Sequence, residues 1–123
     1  MASALSGSIR PLLVMLALVC VFMVLGSKEA EAQAYYTEVD AAIDAVGLPP
    51  IFHDIAWLES GDDPTAVNPA SGACGPFQFL PSTAWDMGYS CWDLQDPYTA
   101  AYAALELYSI AGLQPWSASI GGY

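Results

Sequence analysis

The stretch from residue 55 to residue 83 constrains the fold of this chain more than any other. It reads IAWLESGDDPTAVNPASGACGPFQFLPST. An apolar run of helical character ends in a single carboxylate, Glu59, and Gly61 then stops the helix. The sequence predicts irregular structure or a short hairpin after that point, and a new helix near Pro81. The turn signals that favour this loop are Asp63-Pro64, Asn68-Pro69 and Ser71-Gly72.

The other predicted elements after residue 33 are also helices, so the expected fold class is mostly α. Apolar residues recur at helical spacing in each segment, and glycine or proline separates one segment from the next. In the helix that carries Glu59, we expect Ile51, Ile55 and Leu58 to face the core. Pro81 opens the following helix, or else Ser82 and Thr83 cap it. The four predicted helices span residues 34–46, 50–59, 81–87 and 97–111, the last with Asp96 as its cap and Gly112 as its stop.

The N-terminal segment carries an apolar leader. Arg10 precedes an uninterrupted apolar run, residues 11–25, and the small-residue pattern Ala30-Glu31-Ala32 follows. As a helix this run spans about 22 Å, which is shorter than the roughly 30 Å hydrocarbon core of a bilayer. The sequence favours a cleaved signal peptide over residues 1–32, with a retained membrane anchor as the alternative. Either reading predicts that the domain of residues 33–123 is exported.

The distribution of charge excludes one class of partner. Arg10 and Lys28 are the only basic side chains besides one histidine, and both lie in the leader. The domain after residue 32 therefore has many carboxylates and no lysine or arginine. Such a surface repels nucleic acid, whose binding requires positive charge. It also repels anionic lipids and anionic wall polymers at low salt.

Two cysteines remain once Cys20 of the leader is set aside. In a small exported domain Cys74 and Cys91 are expected to form a disulfide, which stabilises by roughly 3 kcal/mol. Two separate buried thiols are the alternative. No CxxC or CxxH spacing occurs, so we expect neither a metal site nor a cofactor.

One combination of motifs resembles a known family. The order Glu59-Ser60, then Asn68, then residues 75–79 and 81–83 (GPFQF and PST) is similar to the lytic transglycosylases of the lysozyme superfamily, in particular the soluble lytic transglycosylase and goose-lysozyme-like group. Asp96-Pro97-Tyr98 and the later GLQPWS also resemble the compact actinobacterial enzymes and resuscitation-promoting-factor domains. The resemblance covers residues 51–117 and implies a small lysozyme-like fold.

The resemblance also implies a reaction and its residues. Glu59 would protonate the leaving oxygen of the β-1,4 bond between N-acetylmuramic acid and N-acetylglucosamine in peptidoglycan glycan strands. It would then act as the base that activates the muramic 6-hydroxyl, giving a 1,6-anhydro product. A carboxylic acid held partly out of water suits such proton transfer. The residues that the resemblance places at the substrate are Ser60, Asn68, Gln78, Phe79 and Tyr108, with Tyr102 in reserve for Tyr108.

Several alternatives stay open from the residues alone. Glu59 can be a solvated residue at a helix end, and Gln78 can bond the backbone instead of lining a sugar cleft. Trp85 and Trp92 can lie in the core or stack on sugars. A second carboxylate, with Asp62, Asp86 and Asp93 as candidates, would make the protein a lysozyme-type hydrolase. The remaining functional alternatives are a non-catalytic glycan-binding or structural protein of an envelope or virion, and a membrane-anchored processing factor that opens the wall for an assembly partner.

Overall fold

The computed structural model describes residues 36–121, and the predicted leader with its apolar run 11–25 lies outside them. The mostly α prediction is confirmed. Within the described residues, no helix has the length and hydrophobicity needed to cross a bilayer. The helices are α1 (Glu38–Val46), α2 (Ile51–Ser60), α3 (Pro81–Asp86), α4 (Pro97–Ala111) and α5 (Ser117–Ile120), with 3₁₀ turns at Asp93–Gln95 and Gln114–Trp116.

Helix α1 begins later than the periodicity predicts, because Thr37 forms a capping box with Asp40. The backbone N–H of Asp40 donates to the Thr37 hydroxyl at 3.1 Å, and the backbone N–H of Thr37 donates to the Asp40 carboxylate at 2.9 Å. These reciprocal bonds satisfy donors that the first turn of a helix leaves open. The predicted start at residue 34 is therefore wrong. The predicted stop is confirmed, since Gly47 adopts the left-handed conformation there.

The core is built around the fully buried ring of Phe52 on α2. Three aromatic rings from other parts of the chain meet it edge to face, at centroid distances of 5.0 Å for Trp116, 5.6 Å for Tyr108 and 5.9 Å for Phe77. Such geometry is favourable beyond the area that it buries. One ring therefore ties α2 to the central loop, to α4 and to the C-terminal turns.

Helix α2 buries only part of the face that we expected: Ile55 is buried as predicted, and Ile51 is partly buried against the core. Its buried residues are Phe52, Ile55 and Ala56. Glu59 lies four residues after Ile55 and seven after Phe52, so it continues the buried stripe by one more turn. Leu58 is 55% exposed, so its predicted place in the core is wrong. The sequence has apolar residues on both sides of this helix, and only the packing of Phe52 decides which side is buried.

The loop between α2 and α3 is irregular, as predicted. Cys74 forms isolated antiparallel bridges with Val67 and with Phe79, and no longer strand joins them. Pro81 then occupies the first position of α3, so the alternative in which Ser82 and Thr83 cap that helix is wrong. At α4 the expected limits hold, with Asp96 accepting from the N–H of Thr99 at one end and Gly112 at the other.

An ionic cluster joins α1 to α2 behind the core. His53 places its Nδ1 at 2.6 Å from Asp40 and its Nε2 at 2.9 Å from Asp44. Burial lowers the pKa of His53, but the hydrogen bonds to these two carboxylates and their charges outweigh it and raise the pKa above its ordinary value of 6.5. The imidazolium form thus bridges the two helices.

We expect this cluster to make stability depend on pH. The folded pKa of His53 is raised, so its contribution is complete below about pH 6.5 and is lost as the pH rises through the folded pKa. Between pH 6 and 8.5 the free energy of unfolding should fall by up to about 1 kcal/mol, because the cluster is partly exposed. Urea denaturation across this range measures the slope. A His53→Gln variant should lack it, and equal slopes in both proteins would contradict the assignment.

Candidate active site

Glu59 lies in the last turn of α2 with its side chain half-buried, which excludes the fully solvated alternative. The hydroxyl of Ser119 on α5 donates a hydrogen bond to its Oε1. Sequence reasoning missed Ser119, because a serine two residues beyond the matching GLQPWS motif carries no signal by itself. The contact joins the end of α2 to the C-terminal segment of the domain.

Trp116 determines where Ser119 lies. Its side chain is 3% exposed, and its indole N–H donates to the carbonyl of Phe77 at 3.0 Å. Its ring packs on Phe52 and, at 6.3 Å, on Phe79. Because α5 starts directly after this anchored residue, Ser119 is held beside Glu59.

Ser60 fastens α2 to the central loop. Its hydroxyl lies 2.9 Å from the carbonyl of Ala56 and 2.8 Å from the carbonyl of Pro76. A hydroxyl has one hydrogen to donate, so these two acceptors share it. Ser60 thus sets the position of the loop that carries Gln78 relative to Glu59.

Gln78 bonds the backbone as the structural alternative predicts. Its side-chain nitrogen donates to the carbonyls of Ala66 and Gly75, each at 3.0 Å, and its backbone has a φ of +51°. Both amide hydrogens are therefore engaged, and only the amide oxygen is left to accept from a ligand. Gln78 and Phe79 also line a groove of about 290 Å³, whose other walls are Leu80, Thr83, Leu107, Gln114, Pro115 and Trp116.

The other two predicted substrate residues have local roles in this structure. Asn68 is exposed and its side-chain oxygen accepts from the backbone N–H of Ala70 at 2.9 Å, which closes a turn. Tyr108 is half-buried with its ring against Phe52. No hydrogen bond joins Asn68 or Tyr108 to Glu59 in the part of the chain that the structure describes.

A second groove, of about 530 Å³, lies between α2 and α5. Its aromatic wall is Trp57, which is 65% exposed, and Ser119 lines it as well as bonding Glu59. An exposed indole offers a flat apolar face of the kind that stacks on sugar rings. The remaining walls are Ile51, Asp54, Leu58, Ile120 and Gly121.

Asp62 lies near the ionic cluster. Burial, and then the charge of Asp40, raise the pKa of Asp62, against the opposing charge of His53. Its Oδ1 is buried and has no hydrogen-bond partner among the described residues, and its φ is +59°. The charges that act on Asp62 are thus those of the α1–α2 cluster.

The other two candidates for a second carboxylate, Asp86 and Asp93, lie in exposed local structure. Asp93 caps a turn, because the backbone N–H of Ser90 donates to it at 2.8 Å, and Asp86 is the exposed last residue of α3.

The sequence left open whether Trp85 and Trp92 lie in the core or stack on sugars. Trp85 is 81% exposed and Trp92 is 83% exposed, so neither lies in the core.

Cys74 and Cys91 meet as thiols. Cys74 is buried and Cys91 is exposed, and the two thiols are close enough for Cys91 to act on the pKa of Cys74. Burial, with the neighbouring Cys91 adding to it, raises the pKa of Cys74 to about 12. No group of three or more histidine, cysteine, aspartate or glutamate side chains in residues 36–121 could hold a metal ion.

The chain is similar in sequence to proteins named as probable transglycosylases. Residues 41–112 match the model of the Transglycosylase SLT domain. The chain is 42% identical over 73 residues to the probable transglycosylase SceD of Staphylococcus haemolyticus, which covers 50% of this chain and 28% of that protein. It is 45% identical over 69 residues to the probable transglycosylase SceD 3 of Staphylococcus saprophyticus, with the same coverage. The chain thus spans little more than a quarter of these curated relatives, and no solved structure gives a significant match.

Proposed function

Because the chain belongs to the Transglycosylase SLT family, we propose that it is a peptidoglycan lytic transglycosylase in which Glu59 is the general acid and base. Glu59 protonates the oxygen that leaves the β-1,4 bond between N-acetylmuramic acid and N-acetylglucosamine. The same carboxylate then takes the proton of the muramic 6-hydroxyl, which closes on C1 to give a 1,6-anhydro sugar. One residue can serve both proton transfers, because a general acid that has given up its proton is then a general base.

The observation that carries this proposal is the position of Glu59 within the matched segment. Its carboxylate lies at the meeting point of α2 and α5, half-buried on a buried helical stripe. Ser60, next to it, bonds the loop that contains Gln78. A half-buried carboxyl group that, among the described residues, has one oxygen in a hydrogen bond and the other without one suits proton transfer to a bound sugar.

Substrate contacts form the second part of the proposal. We assign sugar binding to Ser60, Asn68, Gln78, Phe79 and Tyr108. The groove beside Gln78 and Phe79 supports this assignment, since its walls are mostly apolar and include a few polar side chains, among them the amide of Gln78. Because both amide hydrogens of Gln78 are engaged, its oxygen would accept from a hydroxyl or acetamido N–H of the glycan.

Work on the cell wall requires export. We propose that the domain acts outside the cytoplasm, delivered by the segment of residues 1–32 as a signal peptide or an anchor. The family, whose described relatives are named as probable transglycosylases, supports this location. An assembly partner of an envelope or virion remains part of the anchored version of the proposal.

Mass spectrometry of the soluble products tests the proposed function. The full chain is incubated with purified peptidoglycan at low and at high salt. We expect anhydro-muropeptides, with release faster at high salt, because the domain has no lysine or arginine to offset its carboxylates. Products with reducing ends would indicate a lysozyme-type hydrolase, and binding without release would indicate a glycan-binding protein.

We also propose that Cys74 and Cys91 form a disulfide once the domain is exported. The adjacent thiols support this pairing, and the oxidising environment outside the cytoplasm favours it. The intact mass of the exported protein should be about 2 Da below that of the dithiol form. Reduction should lower the free energy of unfolding by about 3 kcal/mol.

A matched variant makes the disulfide prediction sharp. Cys91→Ser removes one partner at an exposed position, so its stability should not respond to a reducing agent. Two titratable thiols per domain in the exported wild-type protein would contradict the pairing.

A further inference from the structure

We propose that Ser119 is a positioning residue for the reaction, which holds the carboxyl group of Glu59 so that Oε2 exchanges protons with the glycan. This proposal rests on the proposed function of Glu59. It adds a residue that lies outside the segment matched by the family model, residues 41–112. The inference therefore concerns the C-terminal segment of this particular chain.

The contact is specific to one oxygen. Ser119 donates to Oε1 of Glu59, and no other hydrogen bond reaches this carboxyl group from the residues that the structure describes. Oε2 is thus the oxygen left for substrate. A glutamate side chain has several rotatable bonds, and one bond from a fixed donor removes much of this freedom.

The donor itself is fixed by the core. Ser119 follows Trp116 by three residues, and Trp116 is anchored through its N–H to Phe77 and through its ring to Phe52. Phe52 lies on α2, the helix that also carries Glu59. The hydroxyl and the carboxyl group are therefore set relative to each other by one rigid unit, as preorganised catalytic groups require.

The hydroxyl suits both steps of the reaction. When Glu59 is protonated on Oε2, Ser119 donates to the carbonyl-like Oε1. When the proton has passed to the leaving oxygen, the same donor bonds a carboxylate, and hydrogen bonds to charged groups are the stronger ones. The contact therefore strengthens as the negative charge develops, and it returns to an ordinary neutral hydrogen bond when Glu59 takes up the next proton.

Ser60 and Asn68, the predicted substrate residues that follow Glu59 most closely along the chain, are engaged elsewhere, which supports this role. The Ser60 hydroxyl is shared between two backbone carbonyls, and the Asn68 oxygen closes its own turn. Neither is bonded to Glu59. Among the described residues, the orienting donor comes from α5.

A comparison of three variants of the full chain tests the proposal: Ser119→Ala, Ser119→Thr and Ser117→Ala. Initial rates are measured on soluble, uncross-linked glycan strands over a range of concentrations. We expect Ser119→Ala to lower kcat about tenfold with little change in KM, because a hydrogen bond to a group that becomes charged is lost. Threonine keeps the hydroxyl and should restore most of kcat. Ser117→Ala, in the same short helix, is the matched control and should behave as the wild type.

The single variant Glu59→Gln, measured beside Ser119→Ala, separates this proposal from the proposed function. If Glu59→Gln is inactive while Ser119→Ala matches the wild type or exceeds it, the positioning role is overturned and the proposed function stands. If Glu59→Gln cleaves glycan like the wild type, the proposed function itself fails. Should Ser119→Ala melt at a lower temperature, the threonine variant decides. Wild-type kcat with threonine supports the hydroxyl's role, and a loss equal to that of alanine overturns it.

Discussion

Glu59→Gln should abolish glycan cleavage, with a fall in rate of about 10³-fold. The amide has the shape of the carboxyl group and keeps an oxygen for the Ser119 hydroxyl, so the fold is expected to persist. What it lacks is a proton that can be given to the leaving oxygen and taken back from the 6-hydroxyl, and general acid–base catalysis contributes about 10²- to 10⁴-fold for each such group. Release of soluble muropeptides measures the loss.

Glu106→Gln is the matched control for this prediction. Glu106 is exposed on α4, and its carboxylate accepts from Tyr89 at 3.3 Å. The same chemical change at this position should leave the rate unchanged. Co-sedimentation with insoluble peptidoglycan should show that Glu59→Gln still binds. Retention of more than a tenth of the activity by Glu59→Gln would rule out Glu59 as the acid and base.

Gly75→Ala should be the most destabilising small substitution in the loop next to the site. Gly75 has a φ of +83°, and a Cβ there would lie 2.3 Å from the backbone oxygen of Leu94. A side chain in the left-handed region costs about 1–2 kcal/mol, and forcing backbone apart in a packed region costs a further 1–3 kcal/mol or so. We expect the free energy of unfolding to fall by about 3 kcal/mol or more, measured by urea denaturation.

Gly88→Ala separates the conformational cost of a side chain at positive φ from the cost of the steric clash. Gly88 has almost the same φ, +85°, and a Cβ there would meet nothing within 4 Å. It should show only the conformational cost. Equal destabilisation by the two variants would mean that the close approach of Gly75 to Leu94 does not matter. Because Gly75 also accepts a hydrogen bond from Gln78, its variant should lose glycan cleavage as well as stability.

The sequence by itself determined the elements whose limits depend on nearby residues. Asp96 and Gly112 predict both ends of α4, and the structure has the helix between them at residues 97–111. Gly61 marks the end of α2, which places Glu59 in its last turn. Caps and stops act through hydrogen bonds and dihedral preferences within a few residues, so they can be read from the chain itself. The family motif is a set of residues in a fixed order along the chain, so it too can be recognised from the sequence.

Only the tertiary structure decided which of these residues meet. Leu58 and Phe52 are both apolar, yet the aromatic contacts of Phe52 bury that side of α2 and leave Leu58 exposed. Ser119 lies 60 residues after the carboxyl group that it bonds. Contacts of this kind depend on how the packing of the core closes long stretches of chain, and no local preference encodes them. The sequence therefore predicts which carboxyl group is the candidate acid, and the fold decides which donor holds that group in place.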